Sequence, residues 1–192
     1  MNGRLRRLLR DDSGFSLMEM LAASAIFALI TTGIVGVILV STNAQRTVSV
    51  VTASTTDAQL VANELDNRIR NSSEFQVTTS GTTQLVVARV AGTGTTITWR
   101  CYGWYYSATD GGVIRMTSTA TGTKITMPTA AQAATWTLLL SGVAPRTGTT
   151  VFSAVDNQLS VAFNATTGNR PPVAIDFTTA RLTTPTEALT CY

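Results

Sequence analysis

Hydrophobic residues form one unbroken block near the start of the chain. From Phe15 to Val40 the only charged residue is Glu19, and no proline interrupts the block. A helix rises about 1.5 Å per residue, so this block would extend roughly 39 Å, more than the ~30 Å hydrocarbon core of a bilayer. It is also longer than the apolar core of a secretory signal, about 7 to 15 residues. The block therefore predicts one helix that crosses a membrane.

Past this block the apolar residues are spaced as on one face of a helix. They recur seven, three, four and four positions apart, with polar residues between them, at Val51, Ala58, Val61, Leu65 and Ile69. This pattern predicts a nearly continuous helix from about Phe15 to Asn71 whose second half packs along the apolar stripe against a domain. Gly33 and Gly36 are the expected points of bending.

From Phe75 onward the period changes to two, and short runs rich in β-branched and aromatic residues alternate with turn residues. The pattern predicts a mostly antiparallel sheet with no helix between its strands, one face of which the long helix covers. The turn Asp110-Gly111-Gly112 is expected to join two strands into a hairpin. The expected strands are residues 85–90, 95–106, 113–117, 124–127, 135–143, 159–163 and 173–182.

Five aromatic residues lie close together in one of these runs. Alternation places Trp99 and Tyr105 on one face of the strand and Tyr102, Trp104 and Tyr106 on the other. One interpretation is a central strand that is buried between the helix and a second layer. The alternative is an exposed patch that binds DNA bases, sugars or a partner subunit. Binding of DNA would also require the arginines of neighbouring strands, Arg89, Arg100 and Arg115.

The charge of the chain is concentrated before the apolar block. Four arginines, Arg4, Arg6, Arg7 and Arg10, against Asp11 and Asp12 supply +2 of the formal net charge of +3. By the positive-inside rule these arginines hold the N-terminus in the cytoplasm. The rest of the chain is nearly neutral, so its charge favours neither nucleic acid nor an anionic surface as a partner.

The basic leader ends at Gly14, and Phe15-Ser16-Leu17-Met18-Glu19 opens the apolar helix. This arrangement closely resembles the type IV prepilin signal, the class III signal of pilins and of type II secretion pseudopilins. The resemblance implies that a membrane-embedded prepilin peptidase cuts between Gly14 and Phe15 and N-methylates Phe15. It also implies assembly with other pilin or pseudopilin subunits at an inner-membrane assembly platform.

Glu19 is an unusual residue for a plain membrane anchor. A carboxylate at mid-bilayer costs on the order of 2.5 to 3.5 kcal/mol, so a partner or a task is expected for it. The cut after Gly14 would create a cationic amine at Phe15, which Glu19 of a neighbouring subunit would neutralise. The resemblance implies that this pair sets the stagger of subunits in a filament. The alternative is a Glu19 that lies in the headgroup region of an uncleaved signal anchor.

The resemblance implies an α+β, pilin-like fold whose long N-terminal helix packs on the antiparallel sheet. Four segments are expected: a leader at 1–14, a transmembrane and assembly helix at 15–40, the amphipathic half of the helix at 41–72, and an extracytoplasmic β-rich domain at 73–192. The precursor is expected to cross the cell membrane once, with its N-terminus in the cytoplasm. After cleavage it is expected in a pilus or pseudopilus.

The β-rich domain is loosely similar to the minor pilins and pseudopilins of the PilW and GspJ kind, which are low-copy subunits at or near the filament tip. The similar stretches are residues 99–115, 138–143 and 172–177. Cys101 and Cys191 both fall in this domain, on the side of the membrane where disulfides persist. Their pairing would close a loop of about 90 residues and add roughly 4 to 5 kcal/mol of stability. The alternative is two separate thiols.

The chain contains no histidine, which excludes Ser-His-Asp and Cys-His catalysis and every His-ligated metal site. Two cysteines are too few for a cysteine-based zinc cluster, and we expect no enzyme, cofactor or metal. Three hypotheses remain for the function. The first is a structural, minor subunit of a pilus or secretion filament. The second is a tip-located module that binds DNA, a glycan or a surface, and the third is an uncleaved membrane-anchored ectodomain.

Overall fold

The computed structural model describes residues 16–92, 96–166, 171–182 and 191–192. Its longest element is helix α1, Leu17–Arg70, which is followed by a β-rich region. The chain divides into two compact units whose boundary lies inside α1, between Val48 and Ser49. The long helix is thus confirmed over its described length, and so is the α+β class with an antiparallel sheet domain.

In the first unit α1 remains helical through Gly33 and Gly36. Hydroxyl groups in this stretch bond within the helix; Thr31 Oγ1, for example, donates to Phe27 O at 2.7 Å. Such a bond leaves no unsatisfied hydroxyl donor on the surface of the helix, which suits an apolar environment. By length and composition α1 includes a stretch that could cross a membrane.

In the second unit α1 packs along the stripe that the sequence predicts. Val51 is only half-buried, and the fully buried residues of the stripe are Ala58, Val61, Leu65 and Ile69. Polar residues on the remaining surface form two ion pairs one turn apart, Glu64 with Arg68 at 2.8 Å and Asp66 with Arg70 at 2.9 Å. The helix therefore presents its apolar stripe to the β-strands, and the ion pairs lie along the partly exposed flanks of that stripe.

Five consecutive strands form the first sheet, in the order β1-β2-β3-β4-β5, and each neighbouring pair is antiparallel. They are β1 Ser72–Ser80, β2 Thr83–Ala91, β3 Trp99–Ser107, β4 Val113–Ala120 and β5 Thr137–Ser141. The predicted hairpin turn at residues 110–112 is confirmed, because it joins β3 to β4. The first strand was not among the predicted runs, since most of its residues are polar.

Four strands form the second sheet, in which β8 pairs antiparallel with β6, β7 and β9. They are β6 Val143–Pro145, β7 Phe152–Val155, β8 Gln158–Ala165 and β9 Val173–Ala180. The prediction of one strand at 135–143 is wrong. Gly142 adopts a φ of +69° between β5 and β6, and the chain passes there from the first sheet to the second.

Two further predictions are wrong between β4 and β5. Residues 124–127 form no strand, because Ile125 N donates to Cys191 O at 2.8 Å instead of to a strand neighbour. A short helix, α2 Ala130–Ala134, follows where no helix was expected. It begins with a capping box, in which Thr129 Oγ1 accepts from Gln132 N and Gln132 Oε1 accepts from Thr129 N.

The first sheet carries a hydrophobic core on each face. On one face it shares a core with α1 and the second sheet, whose largest members are Trp104, Tyr106, Phe152 and Phe163. The opposite face, called here the disulfide face, carries a smaller core formed by Leu85, Val87, Cys101, Tyr105, Ile125, Ala133 and Cys191. The prediction that the long helix covers one face of the sheet is confirmed.

Candidate functional site

The start of α1 is the part of the described chain nearest to the predicted cut. Gly14 and Phe15 themselves lie outside the described residues. The carbonyl of Ser16 accepts the first helical hydrogen bonds, from Glu19 N at 2.9 Å and Met20 N at 3.2 Å. Glu19 therefore lies in the first turn, where its negative charge interacts favourably with the partial positive charge of the helix N-terminus.

Exposed apolar side chains surround Glu19 on its own helix. Leu17, Met18, Met20 and Leu21 expose between 57% and 78% of their surface. Within the described residues no cation forms an ion pair with Glu19. The apolar surface is unfavourable in water, and the unpaired carboxylate is unfavourable in lipid. Both penalties would be relieved by a neighbouring apolar helix that carries a positive charge close to Glu19.

The exposed apolar surface extends well beyond the first turns. Every residue from 16 to 46 is exposed, and the large apolar side chains among them lie on all sides of α1. A helix that is apolar all round is stable where lipid or other helices cover it. This part of α1 therefore has the surface of a helix that is embedded in a membrane or in a bundle.

A disulfide joins Cys101 in β3 to Cys191, with a Cα–Cα distance of 5.5 Å, and confirms the predicted pairing. Both residues are fully buried on the disulfide face. The neighbouring Tyr192 is partly buried, and burial together with the Glu74 carboxylate raises the pKa of its hydroxyl. The last residues of the chain are thus fixed to the middle of the first sheet.

The aromatic run of β3 is largely buried, as the first interpretation predicted. Trp104, Tyr105 and Tyr106 expose 4% or less of their surface, and burial raises the pKa of Tyr106. Tyr102 is partly buried, and its ring lies 4.1 Å below the guanidinium of Arg68. These side chains stabilise the packing of α1 and the two sheets, so they do not form an exposed aromatic patch.

The three arginines that DNA binding would need are separated by the sheet. Strand register places Arg89 and Arg115 on the disulfide face and Arg100 on the opposite face. Arg89 lies 4.6 Å from the ring centre of Trp99, and Arg115 Nη1 donates to the carbonyl of Trp136 at 3.3 Å. They therefore do not form a common basic track along which a phosphate backbone could bind.

The sequence also failed to indicate a cleft on the disulfide face, between β4 and α2, with a volume of about 260 Å³. Lys124, Gln132 and Trp136 line it. The spacing of Thr129 and Gln132 is a readable signal for the start of α2. Nothing in the linear pattern places Trp136 beside Lys124.

Among the described residues no group of three His, Cys, Asp or Glu side chains is arranged to hold a metal ion.

Comparison with known proteins gives a match at the N-terminus. Residues 9–35 match the family described as the prokaryotic N-terminal methylation motif. The matched stretch includes the end of the predicted leader, the positions Gly14, Phe15 and Glu19, and the first turns of α1. No curated protein and no solved structure matches the chain.

Proposed function

We propose that this chain is a structural subunit of a type IV pilus or a type II secretion-like filament. The N-terminal methylation motif at residues 9–35 supports this proposal, because it supports a precursor of the type IV pilin and pseudopilin kind. Prepilin peptidase would cut between Gly14 and Phe15 and methylate the amine of Phe15. The mature chain would then assemble with other pilin or pseudopilin subunits through the first part of α1.

The observation that carries this proposal is the combination of a bare apolar helix with one carboxylate in its first turn. A plain membrane anchor requires the apolar length but has no use for Glu19. A core helix of a soluble protein would be buried, whereas residues 16–46 are all exposed. Assembly among similar helices requires both features, because the apolar surface then packs and the carboxylate then has a partner.

The partner of Glu19 would be the amine that cleavage creates on another subunit. A free amine at Phe15 and a carboxylate at Glu19 are each costly in an apolar bundle, but each one offsets the desolvation of the other. Both groups lie at the same end of α1, so pairing between subunits fixes how far one helix is shifted along its neighbour. The charge pair thereby supports a filament with a defined axial stagger.

Two independent features support one orientation in the membrane. The arginines of the leader favour a cytoplasmic N-terminus. The buried disulfide between Cys101 and Cys191 favours an oxidising compartment for the second unit. The chain would therefore cross the cell membrane once, with Ser49–Tyr192 outside the cytoplasm, before it enters the filament.

A minor, low-copy position in the filament is the finer part of the proposal. It rests on the loose similarity of residues 99–115, 138–143 and 172–177 to minor pilins and pseudopilins. Quantitative mass spectrometry of sheared filaments tests it, because a minor subunit would be recovered at a small fraction of the major one. Recovery as the most abundant pilin would contradict the minor role and leave the filament role standing.

The processing step is tested at Gly14. We expect co-expression with a prepilin peptidase to yield a protein that lacks residues 1–14 and carries one added methyl group at Phe15. Gly14→Ala should be cut slowly, since the side chain is still small, whereas Gly14→Arg should leave the leader attached. The intact mass of each purified protein gives the answer. A leader that stays on the unsubstituted chain, or a Gly14→Arg variant that is processed normally, would overturn the proposal.

A further inference from the structure

The cleft on the disulfide face has the properties of a preformed ligand site. It lies over β4 and is closed by the segment 124–128 and by α2. Ile125 anchors this segment, because its side chain packs against Gly103 and its N–H donates to Cys191 O. An added Cβ at Gly103 would lie 2.9 Å from Ile125 Cγ2. The disulfide and the close contact at Gly103 together hold one wall of the cleft in place.

Trp136 forms the aromatic wall, and three contacts fix its position. Its indole meets the buried ring of Tyr105 edge-on, with ring centres 6.2 Å apart. Its backbone N–H donates to Ala133 O at 3.0 Å, and its carbonyl accepts from Arg115 Nη1. A half-buried indole that is fixed in this way offers a flat apolar surface at little entropic cost on binding.

Gln132 offers a hydrogen-bond donor of fixed direction. Its Oε1 accepts from Thr129 N at 2.9 Å and from Thr129 Oγ1 at 3.1 Å, as part of the capping box. The amide NH₂ is therefore left to donate to a ligand. The hydroxyls of Thr117, Thr119 and Thr126 add further polar groups to the lining.

Lys124 gives the cleft a positive charge. Its ammonium group forms no ion pair with the acidic residues that the structure describes. No carboxylate is among the described residues that line the cleft. The lining thus combines a cation, an amide donor, hydroxyls and an indole face, which suits a ligand that is rich in acceptors, carries negative charge and has an apolar face.

We propose that this cleft binds one acidic pyranose residue, a uronic acid, as a monosaccharide or as part of an acidic polysaccharide. The C–H groups on one face of the ring would pack on Trp136. The ring hydroxyls would bond to the threonine hydroxyls and the Gln132 amide, and the carboxylate would pair with Lys124.

The size and charge of the cleft favour a sugar over single-stranded DNA. The cleft has a volume of about 260 Å³, and Trp136 is the one aromatic residue among the described residues that line it. It can therefore stack one pyranose ring, but it offers no second aromatic surface for successive bases. Lys124 is the only cation among the described residues that line the cleft. The other cations of this face, Arg89 and Arg115, are held against the Trp99 ring and the Trp136 carbonyl, so the face offers no row of free cations for a phosphate backbone. The proposal is independent of the filament role, because it rests on residues of the second unit alone.

Saturation-transfer NMR on the full chain tests this site, with methyl glucuronide and methyl glucoside as probes in micelles of the sugar-free detergent lauryldimethylamine oxide. We expect the glucuronide to bind with a Kd on the order of 1 mM, as for other ligands of this size. The glucoside should bind about fivefold more weakly, because it lacks the charge that pairs with Lys124. Equal binding of the two probes would overturn the proposal. So would the absence of glucuronide binding at roughly 10 mM, ten times the expected Kd.

Three variants separate the roles of the lining residues. Gln132→Glu preserves the capping-box acceptor but replaces the amide donor with a negative charge, so glucuronide binding should fall at least about tenfold. Lys124→Gln should remove the preference for glucuronide over glucoside. Arg100→Gln removes a cation from the opposite face and is the matched control, for which no change is expected.

The outcomes are distinguishable from a failure to fold and from DNA binding. Near-ultraviolet circular dichroism should show the same aromatic signal for each variant as for the unsubstituted chain. Unchanged glucuronide binding in Gln132→Glu, or a loss in Arg100→Gln equal to that in Lys124→Gln, would refute the site. Displacement of the glucuronide signal by oligothymidylate at an equal concentration of monomer units would assign the cleft to nucleic acid instead. None of these binding results bears on the proposed processing at Gly14, which is tested separately.

Discussion

The charge of Glu19 limits the environments in which the first turns of α1 are stable. It is the only charged residue from Phe15 to Val40, and its helical neighbours are exposed apolar side chains. The sequence identified this residue because a lone charge in an apolar block is visible without any structure. What the structure adds is its place in the first helical turn, beside the Ser16 carbonyl that accepts from its N–H. The group that would neutralise it is created only by cleavage.

Replacing this carboxylate should separate processing from assembly. We expect Glu19→Ala to lose its leader normally but to enter filaments at least about tenfold less, since the amine of Phe15 would remain unpaired in an apolar bundle. Glu19→Asp retains the charge and is the control, with most of the incorporation preserved. Intact mass measures the processing, and the amount in sheared filaments measures the assembly. Normal incorporation of Glu19→Ala would rule out the charge-pair argument.

Gln84 is the buried polar residue that connects the two sheets of the second unit. Its Oε1 accepts from Val151 N at 2.6 Å and from Phe152 N at 3.0 Å, and its Nε2 donates to Phe152 O at 2.8 Å and to Thr79 Oγ1 at 3.2 Å. The side chain exposes 1% of its surface. Every polar group of this amide is thus used, which is the condition under which a buried amide is stabilising.

The Gln84→Leu variant tests this connection. The new side chain has a similar size but leaves two backbone N–H groups and one carbonyl without partners in a buried position. We expect the free energy of unfolding to fall by about 2 to 5 kcal/mol. Gln76→Leu, on the exposed surface of the neighbouring strand, should change it by less than about 0.5 kcal/mol. Urea unfolding of a fragment of residues 49–192 gives both values, and equal effects would contradict the role of Gln84.

At the scale of elements, the sequence predicts those with a strong and long pattern. Such a pattern is carried by the helix α1 and the strands β2, β3, β4, β8 and β9, all of which the structure contains. The helix α2 was missed because five residues, mostly alanine, are too few to show a helical period. The run 124–127 alternates like a strand but is tied to Cys191 O across the disulfide face. A contact between residues so far apart in the chain leaves no local pattern.

The turn between β3 and β4 contains two adjacent glycines, which affect both the hairpin and the nearby crossing from the first sheet to the second. Gly111 and Gly112 both have positive φ, +75° and +72°. A Cβ at Gly111 would meet open space, whereas a Cβ at Gly112 would lie 1.8 Å from the carbonyl oxygen of Val143. Gly112 O also accepts from Val143 N at 2.8 Å. The hairpin turn is therefore in backbone contact with the crossing from the first sheet to the second.

Substitution of these two glycines separates conformational strain from close packing. We expect Gly111→Ala to destabilise the second unit by about 1 to 2 kcal/mol, the cost of positive φ for an L-residue. Gly112→Ala carries the same strain and must also displace the Val143 backbone, so a further loss of roughly 2 kcal/mol or more is expected. Thermal unfolding followed by circular dichroism compares them. Equal losses would show that the backbone contact at Val143 is unimportant.

At the scale of the whole molecule, the chain consists of two units with different sources of stability. The unit up to Val48 has no buried residue among those described, so its stability depends on what surrounds it. The unit from Ser49 has its own core on both faces of the first sheet and one disulfide. Changes in the core of the second unit should therefore leave the proposed processing at Gly14 and Phe15 unaltered.

The disulfide provides the sharpest test of this independence. The double substitution of Cys101→Ala and Cys191→Ala removes a cross-link between residues 90 positions apart, which is worth roughly 4 to 5 kcal/mol in the chain-entropy description. A domain of this size has a total stability of about 5 to 15 kcal/mol, so the second unit should unfold at a much lower urea concentration and exchange the Ile125 amide hydrogen faster. Intact mass should still show removal of residues 1–14, because the proposed cut lies in the other unit. A loss of processing in the double variant would show that the two units are not independent. A change in stability below about 1 kcal/mol would show that the cross-link does not stabilise the second unit.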